Sequence, residues 1–103
     1  MDNQIAVIYI VKEDEHLESY LVQAKDVTYV LINGAEMDAM YVQERANNSR
    51  TIALTNKKAK EVLMRLYKWH QKKIPKTEGE IKVIMALDAI NCFKDSYVVI
   101  KFR

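Results

Sequence analysis

The sequence has few of the residues that build disulfide frameworks, phosphate-binding loops or flexible linkers. Its 103 residues include one cysteine, one proline and two glycines. The lone Cys92 excludes a disulfide within the chain and a cysteine-only zinc site, because each needs several sulfurs. It fits a reducing compartment, so we expect a cytoplasmic protein. Two glycines are too few for the known glycine-rich phosphate loops, which argues against nucleotide-dependent chemistry.

Long apolar runs are missing as well. Residues 5–11 are apolar, but this run is far shorter than the ~20 residues that span a membrane, and no basic leader precedes it. The sequence contains no repeat, low-complexity tract or linker, so residues 1–103 are expected to form a single domain. With 50% hydrophobic residues, the chain is expected to bury a core without disulfides.

The spacing of apolar residues predicts several strands in the first half of the chain. Residues 5–11 are rich in β-branched side chains, which favours a strand buried on both faces. Residues 16–24 fit either a helix or a short returning strand, and we favour the strand. A turn at 47–49 is followed by a further predicted strand over 50–54.

A hairpin is predicted around the dipeptide Asn33-Gly34. This pair favours a type I′ turn, because both central residues of that turn need a positive φ. Strands over 27–32 and 35–39 are expected to pair across it, with Glu36 and Asp38 on one face. The hairpin adds two strands to the predicted sheet.

One strongly amphipathic helix is predicted over residues 56–74. Thr55 or Asn56 can cap its first turn, and Pro75 ends it. At ~100° per residue one side of the helix is apolar, and it consists of Ala59, Val62, Leu63, Leu66, His70 and Ile74. The opposite side is mostly cationic and consists of Lys57, Glu61, Arg65, Lys68 and Lys72. Trp69 lies near the border between the two sides.

Two more strands are predicted over 80–87 and 97–102, with a loop or short turn between them. The fold class is therefore α+β, an antiparallel β-sheet of about six or seven strands with one amphipathic helix packed on it. One helix is too narrow to cover such a sheet, so the sheet must curl or bury its second face against another chain. A homodimer through the uncovered sheet face is one such arrangement.

Charge is divided unevenly along the chain. The net charge is +2, but residues 1–50 carry −5 and residues 51–103 carry +7. Eight bases and one acid lie between Lys57 and Lys76. Such asymmetry indicates an interaction surface without naming its partner.

Two candidate surfaces follow from this division of charge. The candidate partner- or nucleic-acid-binding residues are Lys57, Lys58, Arg65, Lys68, Trp69 and Lys72. The candidate acidic surface, which could occupy the basic groove of a partner, consists of Glu13, Asp14, Glu15, Glu18, Glu36 and Asp38. A solvated helix face and ordinary solubility are the plainer interpretations of the two surfaces.

Residues with catalytic or metal-binding chemistry are few and isolated. His70 lies on the apolar side of the predicted helix with no second ligand beside it, which is typical of a core histidine. His16 adjoins several acids, but without the ordered spacing of a calcium loop. Cys92 has no recognisable base and is expected to be a buried, inert thiol. We therefore predict no catalytic residue, no metal and no cofactor.

The sequence predicts a non-enzymatic intracellular protein that binds a macromolecular partner, in the first place a protein, through its charged surfaces. It is rich in Lys, Ile, Asn and Met and poor in Gly and Pro, and so resembles short proteins of AT-rich bacterial genomes and their phages. That resemblance implies an inhibitor or adaptor. The alternative is a nucleic-acid-binding accessory protein or regulator that uses the basic outer face of helix 56–74. No membrane association is expected.

Overall fold

The computed structural model describes residues 4–72 and 77–103, which form a four-stranded sheet and four α-helices. Along the chain the elements are β1 (Ile5–Lys12), β2 (Glu15–Gln23), α1 (Ala24–Asn33), α2 (Ala39–Asn47), β3 (Thr51–Leu54), α3 (Asn56–Lys72), α4 (Glu78–Asp88), a 3₁₀ turn (Ala89–Cys92) and β4 (Tyr97–Phe102). In this part of the chain, no helix has the length and apolar character needed to cross a membrane.

The sheet is antiparallel, with the strand order β2-β1-β4-β3. Its register aligns Ile8 with Tyr20 on one side and with Ile100 on the other, and Ile100 is aligned in turn with Ile52. Residues aligned across neighbouring strands point to the same face, because side chains alternate between faces along each strand. These four side chains therefore share one face of the sheet, and that face is the one that the helices cover.

All four helices of the described ranges pack on this face. Ala6, Ile8 and Ile10 of β1 are fully buried there, together with Val98 and Phe102 of β4. The helices contribute buried residues at helical spacing, which are Val27, Val30, Leu31, Val42, Ala46, Ala59, Val62, Leu63, Leu66, Val83, Ala86 and Leu87. Strand and helix residues form one core cluster, so the molecule has two layers, a sheet and a helix layer.

The predicted sheet of six or seven strands with one helix is wrong, whereas the α+β class and the antiparallel pairing are confirmed. Four predicted strands are present with small changes at their ends, namely those over 5–11, 16–24, 50–54 and 97–102. Helices replace the predicted strands over 27–32 and 80–87, and the predicted strand over 35–39 is mostly the loop between α1 and α2. Four helices can cover one face of four strands, so the expectation that a single helix leaves most of the sheet bare no longer applies.

The predicted hairpin at Asn33-Gly34 is wrong because α1 occupies this stretch. Gly34 has a φ of −75° and caps the helix, whereas a type I′ turn needs positive φ. The Gly34 N–H donates to the Val30 carbonyl at 2.6 Å. Val27, Val30 and Leu31 have helical spacing and are buried as one face of α1. This burial against the sheet outweighs the turn preference of the dipeptide.

Residues 35–39 do not form a strand either. Glu36 has a positive φ of 53° in the loop after α1. Asp38 caps α2, because its carboxylate accepts a hydrogen bond from the Tyr41 N–H at 2.9 Å. Glu36 and Asp38 therefore do not share a face of a strand pair, as predicted from the hairpin.

The predicted strand over 80–87 is wrong because these residues belong to α4. The Thr77 hydroxyl caps α4 by accepting a hydrogen bond at 3.1 Å from the backbone N–H three residues later. Val83, Ala86 and Leu87 are buried, and their spacing of three and four residues is the period of a helix. The apolar run therefore packs as one side of a helix.

The predicted amphipathic helix is confirmed as α3 over the residues that the structure describes. The Thr55 hydroxyl accepts a hydrogen bond from the Lys58 N–H at 3.1 Å, so Thr55 is its cap. The Asn56 side chain instead donates to the Ser96 carbonyl at 2.8 Å and joins the start of α3 to the start of β4. The predicted helix end at Pro75 lies outside the described residues.

Gly79 in α4 has no room for a side chain, because a Cβ atom there would lie 1.9 Å from the Asp26 Oδ2 atom of α1. We expect Gly79→Ala to lower the free energy of unfolding by about 1–3 kcal/mol in urea, since the clash outweighs the better helix propensity of alanine. The control is the Asp26→Gly background, which also removes the Asp26 Cβ atom that would lie 2.7 Å from the new side chain, and in which Gly79→Ala is expected to be neutral or stabilising. Equal losses in both backgrounds would contradict this contact.

Candidate partner-binding surfaces

The solvent sides of α3 and of its neighbour α4 carry a mixture of basic and apolar side chains, which we term the α3–α4 surface. α3 buries Ala59, Val62 and Leu66 against the rest of the core, so the opposite side of the helix points to solvent. The surface consists of Lys57, Lys60, Met64, Tyr67, Lys68 and Lys72 of α3 and Ile81 and Met85 of α4, all exposed.

The structure places the predicted basic residues in three different environments. Three of them are exposed on the α3–α4 surface, namely Lys57, Lys68 and Lys72. Lys58 is half-buried beside the helix cap. Arg65 forms an ion pair with Glu36 of the loop after α1, so part of its charge is compensated within the chain. Lys73 and Lys76 of the basic run lie outside the described residues.

Trp69 is a packing residue in this structure. Its half-buried ring is stacked on Tyr29 of α1, with ring centroids 5.3 Å apart and planes 23° from parallel. Trp69 also packs against the main core cluster. An indole held in this way offers less surface to a nucleic-acid base than an exposed ring does.

Large apolar side chains lie exposed among the lysines. Eight large hydrophobic side chains of the described residues are exposed, and four of them belong to the α3–α4 surface: Met64 (58%), Tyr67 (42%), Ile81 (45%) and Met85 (58%). Exposed apolar groups with a polar margin are typical of protein-binding surfaces. The sequence interpretation missed these residues. The available signal was the position of Met64 on the lysine side of the helix, four residues before Lys68.

Tyr67 connects α3 to α4. Its hydroxyl donates a hydrogen bond to the Asp88 Oδ1 atom at 3.3 Å. Partial desolvation raises the pKa of Tyr67, and the negative charge of Asp88 and this hydrogen bond raise it further. The phenol therefore stays a neutral donor over a wider pH range than usual, with its ring partly exposed beside the lysines.

The predicted acidic surface is divided between different parts of the fold. Glu36 belongs to the loop after α1, and Asp38 caps α2. The other four acids lie in or next to the β1–β2 turn, namely Glu13, Asp14, Glu15 and Glu18. Of the predicted residues, the structure therefore brings together an acidic group of four at one end of the sheet.

Tyr20 in β2 donates a hydrogen bond to the carboxylate of Glu18. This bond, partial burial and the charge of Glu18 raise the pKa of Tyr20 from 10.0 to about 12. Because folding favours the neutral phenol, Tyr20 contributes to the free energy of unfolding. This contribution is complete below pH 10 and is lost as the pH rises from 10 to about 12. We therefore expect the wild type to lose free energy of unfolding relative to Tyr20→Phe across this window. Denaturant unfolding at alkaline pH measures this difference, and a constant difference would contradict the expectation.

The remaining candidates for chemistry are dispersed. His16 lies against Tyr9, with ring centroids 4.4 Å apart. Cys92 is exposed in the 3₁₀ turn, so the prediction of a buried thiol is wrong. The prediction for His70 concerns a side chain outside the described part of the structure. Within residues 4–72 and 77–103, no three His, Cys, Asp or Glu side chains come together as metal ligands would.

A cavity of about 670 Å³ lies beside the first turn of α4. Its charged lining residues are Lys25, Asp26, Glu78 and Lys82, two of each sign. Asp26 is also the residue whose carboxylate approaches Gly79. The balanced lining favours neither an anion nor a cation.

The face of the sheet that points away from the helices, which we term the open face, is apolar at its centre. Register and alternation place Val7, Tyr9 and Val11 of β1 on it, next to Tyr97 and Val99 of β4. None of these five residues belongs to the core cluster that contains the helices. Val7 and Val11 are nevertheless only 6% and 3% exposed, because neighbouring strands flank them on both sides. The predicted burial of β1 on both faces is thus confirmed.

Fold and surfaces together define a two-layer α+β domain with a mixed basic and apolar helix surface on one side and an apolar sheet face on the other. Comparisons with protein families, with curated proteins and with solved structures each found no match. The function must therefore be inferred from the surfaces themselves.

Proposed function

We propose that this protein is a non-enzymatic interaction protein that binds an acidic protein partner through the α3–α4 surface and acts as an inhibitor or adaptor of that partner. The observation that carries the proposal is the combination of exposed lysines with exposed Met64 and Tyr67 on α3, next to the exposed Ile81 of the neighbouring helix α4. Met85 extends the apolar surface of α4 toward Tyr20 and Leu21 of β2. Protein interfaces combine an apolar centre with a polar rim, and Met and Tyr are enriched in them relative to other surfaces.

The lysines indicate the charge of the partner. Lys57, Lys60, Lys68 and Lys72 are exposed, and Glu61 is the only acid in α3. Complementary charge at the rim of an interface steers the encounter and disfavours partners of the wrong sign. An acidic rim around an apolar patch is therefore the surface that fits best.

Nucleic acid is the second candidate partner, because the same exposed lysines can neutralise phosphates. Two observations favour the protein instead. Exposed apolar side chains such as Met64 and Tyr67 lie among the lysines, and they can pack against a protein but contribute nothing to binding a phosphate backbone. Trp69 is packed on Tyr29 and so presents less of its ring for base stacking.

Site-specific photo-crosslinking tests the proposal. A photoreactive amino acid replaces Met64 on the α3–α4 surface, and a matched variant carries it at Met40, which is 83% exposed on α2. Both proteins are irradiated in an extract of the cells that produce them. We expect a protein adduct from position 64 that is absent from position 40 and insensitive to nuclease.

Two outcomes overturn this proposal. A nuclease-sensitive adduct from position 64 establishes the nucleic-acid alternative. Equal adducts from both positions, or none from position 64, show that the α3–α4 surface is not the binding surface. Circular dichroism of each variant checks that the substitution leaves the fold intact.

A further inference from the structure

The open face has the chemistry of an interface but no covering layer within the described residues. Its central row, read across the sheet, is Ser19, Tyr9, Val99 and Ala53, and it carries no charge. The rows on either side contain Val7, which lies between Leu21 and Lys101, and Val11, which lies between His16 and Tyr97. A sheet face with an apolar centre and polar ends is suited to packing on a second sheet, about 10 Å away.

The two ends of the open face carry opposite charge. The β1–β2 turn at one end contains Glu13, Asp14 and Glu15. At the other end, Lys101 is exposed near the end of β4, and Arg103 follows β4, with its N–H donating to the Ile5 carbonyl at 3.0 Å. The sheet is therefore acidic at one end of its strands and basic at the other.

We propose that the open face binds a second copy of this chain, with the strands of the two sheets running in opposite directions. A two-fold axis that lies in the interface and crosses the strands at right angles through the central row places the acidic turn of each copy at the level of Arg103 of the other, and brings Lys101, two residues nearer the axis, over Tyr97 next to that turn. A two-fold axis parallel to the strands would instead oppose like charges. The charge pattern thus selects one of the two symmetric arrangements, and each favourable contact occurs twice.

The size of the face agrees with a modest affinity. Four strands at ~4.8 Å spacing and about seven residues at ~3.4 Å rise give a flat area of about 450 Å² on each copy. With side-chain relief included, a pair of such faces reaches the lower end of the ~1,200–2,000 Å² buried in specific interfaces. Val7 and Val11 are only 6% and 3% exposed in the single copy, so little of their surface is left to bury and we expect a weak dimer.

This arrangement brings the central row of each sheet against the same row of its partner, so Val99 lies near its own symmetry mate. The test introduces Val99→Cys, or Ala53→Cys as a second and exposed position, into a Cys92→Ser background. The control is Met40→Cys on the helix side. We expect both open-face cysteines to form disulfide-linked dimers under mild oxidation at concentrations where Met40→Cys remains monomeric.

A charge swap tests the direction of the strands. Lys101→Glu with Arg103→Glu is expected to weaken the dimer at least tenfold in sedimentation equilibrium, and so is Glu13→Lys with Asp14→Lys. Mixing the two double variants gives acid-base contacts at both ends, one in the wild-type sense and one with the charges reversed, and is expected to form a heterodimer. A mass of 12.0 kDa at every concentration overturns the proposal. So does a dimer without open-face crosslinks, which would point to pairing at the edge strand β2. The partner-binding proposal is independent, because Lys68 and Lys72 lie on the helix layer.

Discussion

Replacing Phe102 by alanine is expected to lower the free energy of unfolding by about 3–5 kcal/mol, the largest loss that we expect from a single substitution in this protein. Phe102 is fully buried at the end of β4, where it aligns with Ala6 of the central strand β1. Truncation leaves a cavity between the sheet and the helix layer, which the packed helices can only partly close. A loss of this size is a large fraction of the 5–15 kcal/mol typical of a domain.

The matched control for Phe102→Ala is Tyr97→Ala. Tyr97 is an aromatic residue on the same strand, but it points to the open face and is half-buried. Its loss is expected to be about 1 kcal/mol, because neighbouring side chains and solvent can fill the space. Urea unfolding at low protein concentration measures both values. Equal losses would show that, in the described part of the chain, the open face contributes a core of its own in addition to the one between the sheet and the helices.

Replacing Lys68 and Lys72 together by glutamate is expected to weaken partner binding at least 100-fold. The two lysines lie four residues apart on the exposed side of α3, beside the apolar patch. Reversal removes two favourable charge contacts at the rim of the interface and creates two repulsive ones with an acidic partner. Stability should change by less than about 0.5 kcal/mol, since both side chains are exposed.

The control for this reversal is Lys25→Glu with Lys94→Glu. Both residues are exposed, neither lies on α3 or α4, and the net charge changes from +2 to −2 in both double variants. Titration of the crosslinked partner against each protein, at low and at physiological salt, compares their affinities. Equal weakening by both pairs would mean that net charge, rather than the α3–α4 surface, controls binding.

The elements that were predicted correctly are those whose local signal agrees with their tertiary surroundings. In β1, a run of β-branched residues coincides with a central position in the sheet, between β2 and β4. In α3, the Thr55 cap and the apolar side both indicate a helix, and the core uses that side. Secondary structure can be predicted reliably from local sequence where the local signal and the tertiary packing favour the same element.

α1 and α4 show where local signals compete. Asn33-Gly34 is a strong turn signal, but here the glycine caps α1 with a φ of −75°, and a Cβ atom on it would lie 2.8 Å from the Val30 carbonyl oxygen. In α4, Thr77 and Glu80 have the spacing of a capping box, and the Thr77 hydroxyl does accept a bond from the Glu80 N–H. This capping signal is present in the sequence, but the β-branched residues that follow it favour a strand, and for that reason a strand was predicted there.

The candidate site was predictable in its charge but not in its contacts. Helical periodicity is sufficient to place Lys57, Lys68 and Lys72 on one side of α3. The pairing of Arg65 with Glu36 depends on the path of the chain after α1, which no local pattern encodes. The exposure of Met85 likewise depends on α4 being a helix that packs beside α3.

The placement of all described helices on one side of the sheet has a consequence for stoichiometry. When two copies pack through their open faces, their α3–α4 surfaces point away from each other. The pair is then bivalent, and it connects two partner molecules rather than covering one from both sides. If the partner is itself oligomeric, the second contact becomes intramolecular and strengthens the first. A weak dimer of this kind would bring partner molecules together at high protein concentration and release them on dilution.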